Sequence, residues 1–331
     1  MPLIITRRST NEALCKTASL RSSAGERHRN CRRLGLATPY GDKTFHTANI
    51  IEFAKEVSDA SEGKLNITVH SAGSLIKHPE IKNAVRSQQV PIGEFFLSRL
   101  SNEDAAYGID SQPFVATSYD DAAKLWESQK PVITELLAKQ RLMPLFSVPW
   151  PPQGLYTSGE IKSVDDLKGL KFRAYNAALE QFAALAGAAP TQVEAADIPQ
   201  AFSTGQVEAM ITSPSTGANT KAWDFVSHYA PINAWVPKNI VVVNKEAFDA
   251  LDDDVKEVVL KAAAAAETRG WEMSKEETSV KTAELKENGM NVVTPSDELL
   301  DGLKSIGADM QSAWQDSASD DAKVIVDSFT K

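Results

Sequence analysis

An arginine at the end of a short strand is the residue of this chain best placed to do chemistry. In S-V-D-D-L-K-G-L-K-F-R-A-Y-N, Ser163 to Asn176, Ser163 caps the turn Val164 to Leu167 and Gly169 ends it. Leu170 to Arg173 then forms a strand that stops where Asn176 starts the next helix. That order sets a guanidinium beside the free N–H groups of a helix N-terminus, at the carboxyl end of a strand, where open α/β sheets bind ligands. Guanidinium is planar, permanently charged and able to hold a carboxylate by two parallel hydrogen bonds. On these residues alone, two readings of Arg173 stay open: an anion anchor or an ordinary surface charge.

Other candidates rest on position. Phe45 and His46 follow the first strand, Glu94 sits on the next strand tip, Trp150 and Tyr156 lie at a crossover, and Trp235 and Asn239 lie at a return crossing. Aromatic residues at such places either pack or stack on a ligand, and several of them near one anion anchor would suit an aromatic or ring-bearing acid. His46 and Glu94 could move protons in an enzyme, but no catalytic signature accompanies them. The chain has no G-x-G-x-x-G after a strand, no P-loop, no G-x-S-x-G elbow, no H-E-x-x-H and no EF-hand loop. His28, His46, His70, His78 and His228 show no metal-ligand spacing, so neither a metal nor a cofactor is expected.

The elements that must position these residues alternate in type. Apolar spacing predicts a helix over 48–60, alternation predicts a strand over Leu65 to Val69, and Pro79 opens a helix. A strand follows near Val90 to Leu97, then a helix capped by Ser118 and running to about Lys139, then a strand over Leu142 to Val148. This βαβ rhythm implies a largely parallel sheet covered on both faces. Trp150, Pro151 and Pro152 interrupt it and mark a crossover into a second lobe. That lobe continues through a helix at 199–204, a strand at Ala209 to Thr212 and a helix from Pro214 to about Phe225. The β-branched run Ile240 to Val243 reads as a buried strand returning to the first lobe. A long helix over 252–288, closed by Gly289, precedes a second over 296–329 broken near Gly307. The expected division is 38–150 plus 239–270 for lobe I, and 151–238 plus 271–331 for lobe II with bracing C-terminal helices.

A chain of 331 residues is more comfortable as two domains than one. Its hydrophobic fraction of 42% and charged fraction of 24% are ordinary for a globular protein, and no apolar run approaches bilayer-spanning length, so no direct membrane insertion is expected. Charge is uneven: residues 1–37 carry eight basic side chains against two acidic ones, while the whole chain has a net charge of -9. The remainder is therefore strongly acidic, which argues against nucleic acid and anionic lipid as partners. Both cysteines, Cys15 and Cys31, lie in the basic segment, so the rest holds no disulfide or thiolate metal site. No export signal is readable in residues 1–37; the expectation is a disordered or non-native start, with an organelle transit peptide as the alternative.

Three segments carry a family resemblance: H-S-A-G-S-L at His70 to Leu75, D-D-L-K-G-L-K-F-R ending at Arg173, and A-F-S-T-G-Q-V-E-A-M-I-T-S-P at Ala201 to Pro214. In this order and spacing, over about 38–331, the chain resembles the DctP-type substrate-binding proteins of tripartite ATP-independent periplasmic (TRAP) transporters. The resemblance implies a two-lobed α/β fold of the periplasmic-binding-protein type, a periplasmic location, and capture of a small organic acid for membrane permease subunits, without chemistry. It gives Arg173 the role of salt-bridging the ligand carboxylate and Asn176 that of a polar contact. Ser213 stands where many members carry asparagine, and Gln153 where sialic-acid-binding members carry a second arginine, which argues against a sialic acid. A receptor of another transporter class, or an enzyme on a similar fold, is the alternative.

Overall fold

Residues 31–329 are described by the computed structural model. The strand–helix alternation up to the crossover folds as β1 (Arg32–Ala37), α1 (Phe45–Ala60), β2 (Leu65–His70), α2 (Ile81–Arg86), β3 (Ile92–Phe96), α3 (Tyr119–Ala138) and β4 (Leu142–Pro149). The second lobe follows as β5 (Gly154–Thr157), β6 (Lys171–Ala174), α4 (Ala177–Leu185), β7 (Ala189–Gln192), α5 (Ile198–Ser203), β8 (Ala209–Thr212), α6 (Pro214–Asn219) and β9 (His228–Ala230). The chain then returns through β10 (Lys238–Asn244), α7 (Lys245–Asp249) and α8 (Asp253–Glu287), and ends in β11 (Asn291–Val292), α9 (Asp297–Ser317) and α10 (Asp320–Phe329).

Lobe I is built on the sheet β2-β1-β3-β10-β4. β1 pairs in parallel with β2 and β3, whereas the returning β10 runs antiparallel between β3 and β4. Every residue of β10 is buried, as its β-branched run requires of a strand covered on both faces. One apolar layer, around Phe53, Phe146 and Val259, fills the side under α1 and α8; another, around Trp126, Ile133 and Val242, fills the side under α3 and α10. Lobe II has the sheet β11-β9-β5-β8-β6-β7, which puts β6 inside, between β7 and β8. The two crossing segments lie side by side: Trp150 N–H donates to Pro237 O over 2.8 Å, and Gln153 N–H to Trp235 O over 3.0 Å.

Several boundaries differ from the sequence reading. Arg32–Ala37, read as part of the tail, form β1, with Leu36 fully buried and paired with Val69. The crowd of arginines before this short apolar run hid it. The expectations for residues 1–30 lie outside the described residues. α6 stops at Asn219 rather than near Phe225, because Lys221 adopts left-handed φ of 54°. α9 runs unbroken through Gly307, where a Cβ would sit 2.9 Å from the Phe114 ring, so this glycine serves close approach and the break falls at Ala318 instead. α8 spans both lobes, packing on α1 and β4 and then on α6 and β11. α9 packs on α4 in lobe II, but α10 crosses back onto α3, so the assignment of 271–331 to lobe II is corrected for that helix.

Candidate ligand-binding site

Arg173 is the third residue of β6, an inner strand next to the edge strand β7, and it is 3% exposed. Nε donates to Val193 O over 3.0 Å, in the segment leaving the neighbouring β7. The two terminal nitrogens have no hydrogen-bond partner among the described residues, and the guanidinium lies 5.0 Å from the centre of the Tyr175 ring. Burial pulls its pKa down to about 10, opposed by the fields of Tyr175 and Glu194, so it remains a cation at neutral pH. Asn176 caps α4 as its position implies: its Oδ1 accepts from Leu179 N–H over 2.8 Å. Its amide nitrogen is turned to the other lobe, donating to Ser98 Oγ over 2.8 Å.

Arg173 faces a cavity between the lobes of about 440 Å3, including the part open to solvent. From lobe I and the crossover come Tyr40, His78, Phe96, Arg99 and Trp150; from lobe II come Gln153, Tyr175, Glu194, Thr212, Ser213 and Thr216. Four aromatic rings thus wall one anion anchor. Trp150 is held by a hydrogen bond from Nε1 to Asn239 Oδ1 of 2.9 Å and meets the Tyr40 ring edge-on at 5.1 Å. Gln153 is locked by donating to Pro151 O over 2.7 Å and accepting from Tyr175 OH over 3.1 Å. Ser213 caps α6, accepting from Thr216 N–H over 3.0 Å.

Glu194 enters the same cavity just after β7 and is gripped from across the cleft. Arg99 Nη1 lies 2.8 Å from Oε1 and His78 Nδ1 3.1 Å from Oε2. His78 Nε2 accepts from Phe96 N–H over 3.2 Å, which assigns the proton of the neutral ring to Nδ1, donating to Glu194. Burial opposes charge on Glu194, but the His78 hydrogen bond and the fields of Arg99 and Arg173 outweigh it and hold the carboxyl well below its usual range. Burial likewise lowers the pKa of His78, keeping it neutral.

Behind the lobe I wall lies a polar layer sealed from the cavity. Asn239 Nδ2 donates to Glu94 Oε1 over 2.8 Å, Thr38 Oγ1 donates to Glu94 Oε2 over 2.5 Å, and His46 Nδ1 is 3.4 Å from Glu94 Oε1. Burial raises the Glu94 pKa to about 7, against the hydrogen bonds from Thr38 and Asn239, and drives that of His46 well down. The Phe45 ring lies tilted against His46, the ring centres 4.1 Å apart.

Of the candidates read from sequence, Arg173, Gln153, Ser213 and Trp150 come together at the cavity. Phe45, His46, Glu94 and Asn239 fall one layer behind Trp150. Tyr156 is wedged under α6, its hydroxyl donating to Ser213 O over 3.1 Å and its ring 4.6 Å from Tyr229. Trp235 supports from behind by donating from Nε1 to Tyr175 OH over 2.9 Å. Tyr40, Phe96, Arg99, Tyr175 and Glu194 line the cavity unannounced. Tyr175 had a local clue, two residues beyond Arg173; Arg99 and Glu194 had none, since they meet only because the lobes face each other.

Two lobes with paired crossings, closing on a buried guanidinium and aromatic walls, define a two-lobed solute-binding receptor of the periplasmic type. The chain belongs to the DctP family, the bacterial extracellular solute-binding proteins of family 7, whose model matches residues 37–320. It is similar to an extracytoplasmic solute receptor of Bordetella pertussis that binds pyroglutamic acid, with 42% identity over 90% of this chain and 99% of that one and a TM-score of 0.89. A TRAP solute-binding protein of an unidentified marine microbe, specific for pyroglutamate, shares 41% identity over 91% of this chain and 99% of that one, with a TM-score of 0.88. A Roseobacter denitrificans TRAP protein with bound β-D-glucuronate shares the fold at 19% identity and a TM-score of 0.82, covering 89% and 99%. The chain is thus a solute-binding protein of this family, and the solved receptors it resembles at 41% and 42% identity bind a small organic acid.

Proposed function

We propose that this chain is the periplasmic receptor through which TRAP permease subunits receive a small, ring-bearing monocarboxylate, with pyroglutamate as the best-supported ligand, and that it releases that ligand chemically unchanged. The observation that carries this reading is Arg173: a buried cation whose terminal nitrogens have no partner among the described residues, aimed at an inter-lobe cavity walled by Tyr40, Phe96, Trp150 and Tyr175. Arg173 grips the carboxylate while those rings enclose the ligand ring. Asn176, Gln153 and Ser213 hold the shape of the anchor's surroundings, and Phe45, His46, Glu94, Asn239, Tyr156 and Trp235 brace the walls from behind. The sealed position of His46 and Glu94 supports binding without proton transfer. The similarity to pyroglutamate receptors at 41% and 42% identity supports the ligand, and favours it over the sugar acids bound by more distant relatives.

Isothermal calorimetry with pyroglutamate, glucuronate and benzoate, followed by mass spectrometry of the recovered ligand, tests this. The expected result is submicromolar to micromolar binding of pyroglutamate alone, roughly -8 kcal/mol or better. Tighter binding of either other acid, or recovery of an altered molecule, would sink the reading.

A further inference from the structure

We propose that Glu194 is a specificity-determining residue, selecting acids that carry one negative charge and an N–H group beside the carboxylate. The proposal rests on the reading of the cavity as a carboxylate site and deepens it.

A carboxylate on the wall of a site built for an anion demands a reason. Among the described residues Glu194 is the only carboxylate lining the cavity, where it faces the same space as Arg173 and Arg99. Two guanidinium groups against one carboxylate, with His78 neutral, leave one surplus positive charge, which a monoanion neutralises. A dicarboxylate would bring its second charge into a cavity where the remaining cation, Arg99, is already paired with Glu194 at 2.8 Å. The cost of that unpaired charge is high where water is excluded.

The same carboxylate discriminates by hydrogen bonding. Each oxygen accepts one protein hydrogen bond, Oε1 from Arg99 and Oε2 from His78, and a carboxylate oxygen has capacity for another. Of the neighbouring polar groups, Tyr40 OH donates to Asn239, Tyr175 OH to Gln153 and the Gln153 amide nitrogen to Pro151, and the Thr212 and Thr216 hydroxyls are neutral acceptors, so Glu194 is the one charged acceptor on the wall among the described residues. A ligand N–H facing Glu194 gains a charge-assisted bond, whereas a ring oxygen in the same place meets a negative acceptor with its own lone pairs. Sites that hydrogen-bond a ligand group reject analogues lacking it more strongly than apolar pockets reject a missing methylene. Arg99 and His78 reach Glu194 from the opposite lobe, so with the lobes together both oxygens of this acceptor are held in place.

The bland alternative is that Glu194 is merely a latch between the lobes. Calorimetry on the whole chain separates the two, using L-pyroglutamate, its ring-oxygen isostere 5-oxotetrahydrofuran-2-carboxylate, and glutarate. We expect pyroglutamate to bind at least about 30-fold more tightly than either, the scale of a charge-assisted hydrogen bond lost or a charge left unpaired. Glu194→Gln, whose amide can present either its oxygen or its nitrogen, should shrink the lactam-to-lactone ratio to about fivefold or less. A wild-type ratio within threefold overturns the proposal. So does a Glu194→Ala variant that weakens both ring compounds by the same factor, the mark of a latch. Binding of none of the three acids would instead overturn the pyroglutamate reading, and this one with it.

Discussion

Arg173 is worth more than a surface cation because protein has already stripped it of water. Its Nε is anchored on Val193, and its terminal nitrogens have no hydrogen-bond partner among the described residues. Charge-assisted hydrogen bonds contribute about 1.5–3 kcal/mol each, and leaving a buried carboxylate without its partner costs ~3–5 kcal/mol. Arg173→Ala should therefore weaken ligand binding by about two to three decades, and Arg173→Lys by at least about tenfold, since an ammonium cannot reproduce the planar fork. Calorimetry reads both, and a loss below threefold in the alanine variant would remove Arg173 from its role. The motif around this residue made it visible in sequence, whereas Glu94 was assigned a ligand contact from strand position alone. Its actual setting predicts a pH effect. Burial raises the Glu94 pKa from 4.5 to about 7, so the folded state holds a proton that the unfolded chain has already released. The stability it contributes is fully present below pH 4.5 and is lost as pH rises through 7. Glu94→Gln should remove that slope, making the variant more stable relative to wild type at pH 8 than at pH 4.5, by up to ~3 kcal/mol. Equal denaturant midpoint shifts at the two pH values would contradict this.

At the scale of elements, α8 ties the molecule together, and Gly270 lets it lie close to lobe I. A Cβ there would stand 2.4 Å from Val148 Cγ2 and 2.7 Å from the Asn49 amide, which is itself bonded to Ala266 O over 2.8 Å. Gly→Ala in a helix interior ordinarily adds about 1 kcal/mol of stability, but overpacking costs about 1–3 kcal/mol. Val148 belongs to a buried strand and has little room to yield, so Gly270→Ala should lower the melting temperature by a few degrees. A rise would show that α8 can shift away freely. The helix itself was plain from its alanine-rich periodicity and its closing Gly289. The meaning of its glycine was not, because it depends on a strand more than a hundred residues earlier in the chain.

Across the whole molecule, the lobes are joined over the cleft by few bonds: Asn176 to Ser98, and Glu194 to His78 and Arg99. Ser98 does not line the cavity, so Ser98→Ala leaves the ligand's contacts in place while stranding the Asn176 amide in the closed form. Losing such a bond costs about 1 kcal/mol, and a binding-competent state that becomes rarer lowers apparent affinity in proportion. A roughly fivefold weaker affinity is expected, carried by faster dissociation in stopped-flow. An unchanged dissociation rate would mean that this contact plays no part in holding the lobes shut.

The sequence by itself determined much of the local grammar: most of the longer strands and helices, the breakers at the crossing after Trp150, and an arginine near the end of a strand beside a helix start. These follow from periodicity, caps and breakers, whose causes act within a few residues. Only the tertiary structure decided that Arg32–Ala37 belong in a sheet, that Phe45, His46, Glu94 and Asn239 form a layer behind Trp150, and that Arg99, His78 and Glu194 meet across the cleft. Such outcomes depend on which surfaces face each other after the chain has crossed twice, and no local pattern of residue types encodes a contact made at that range.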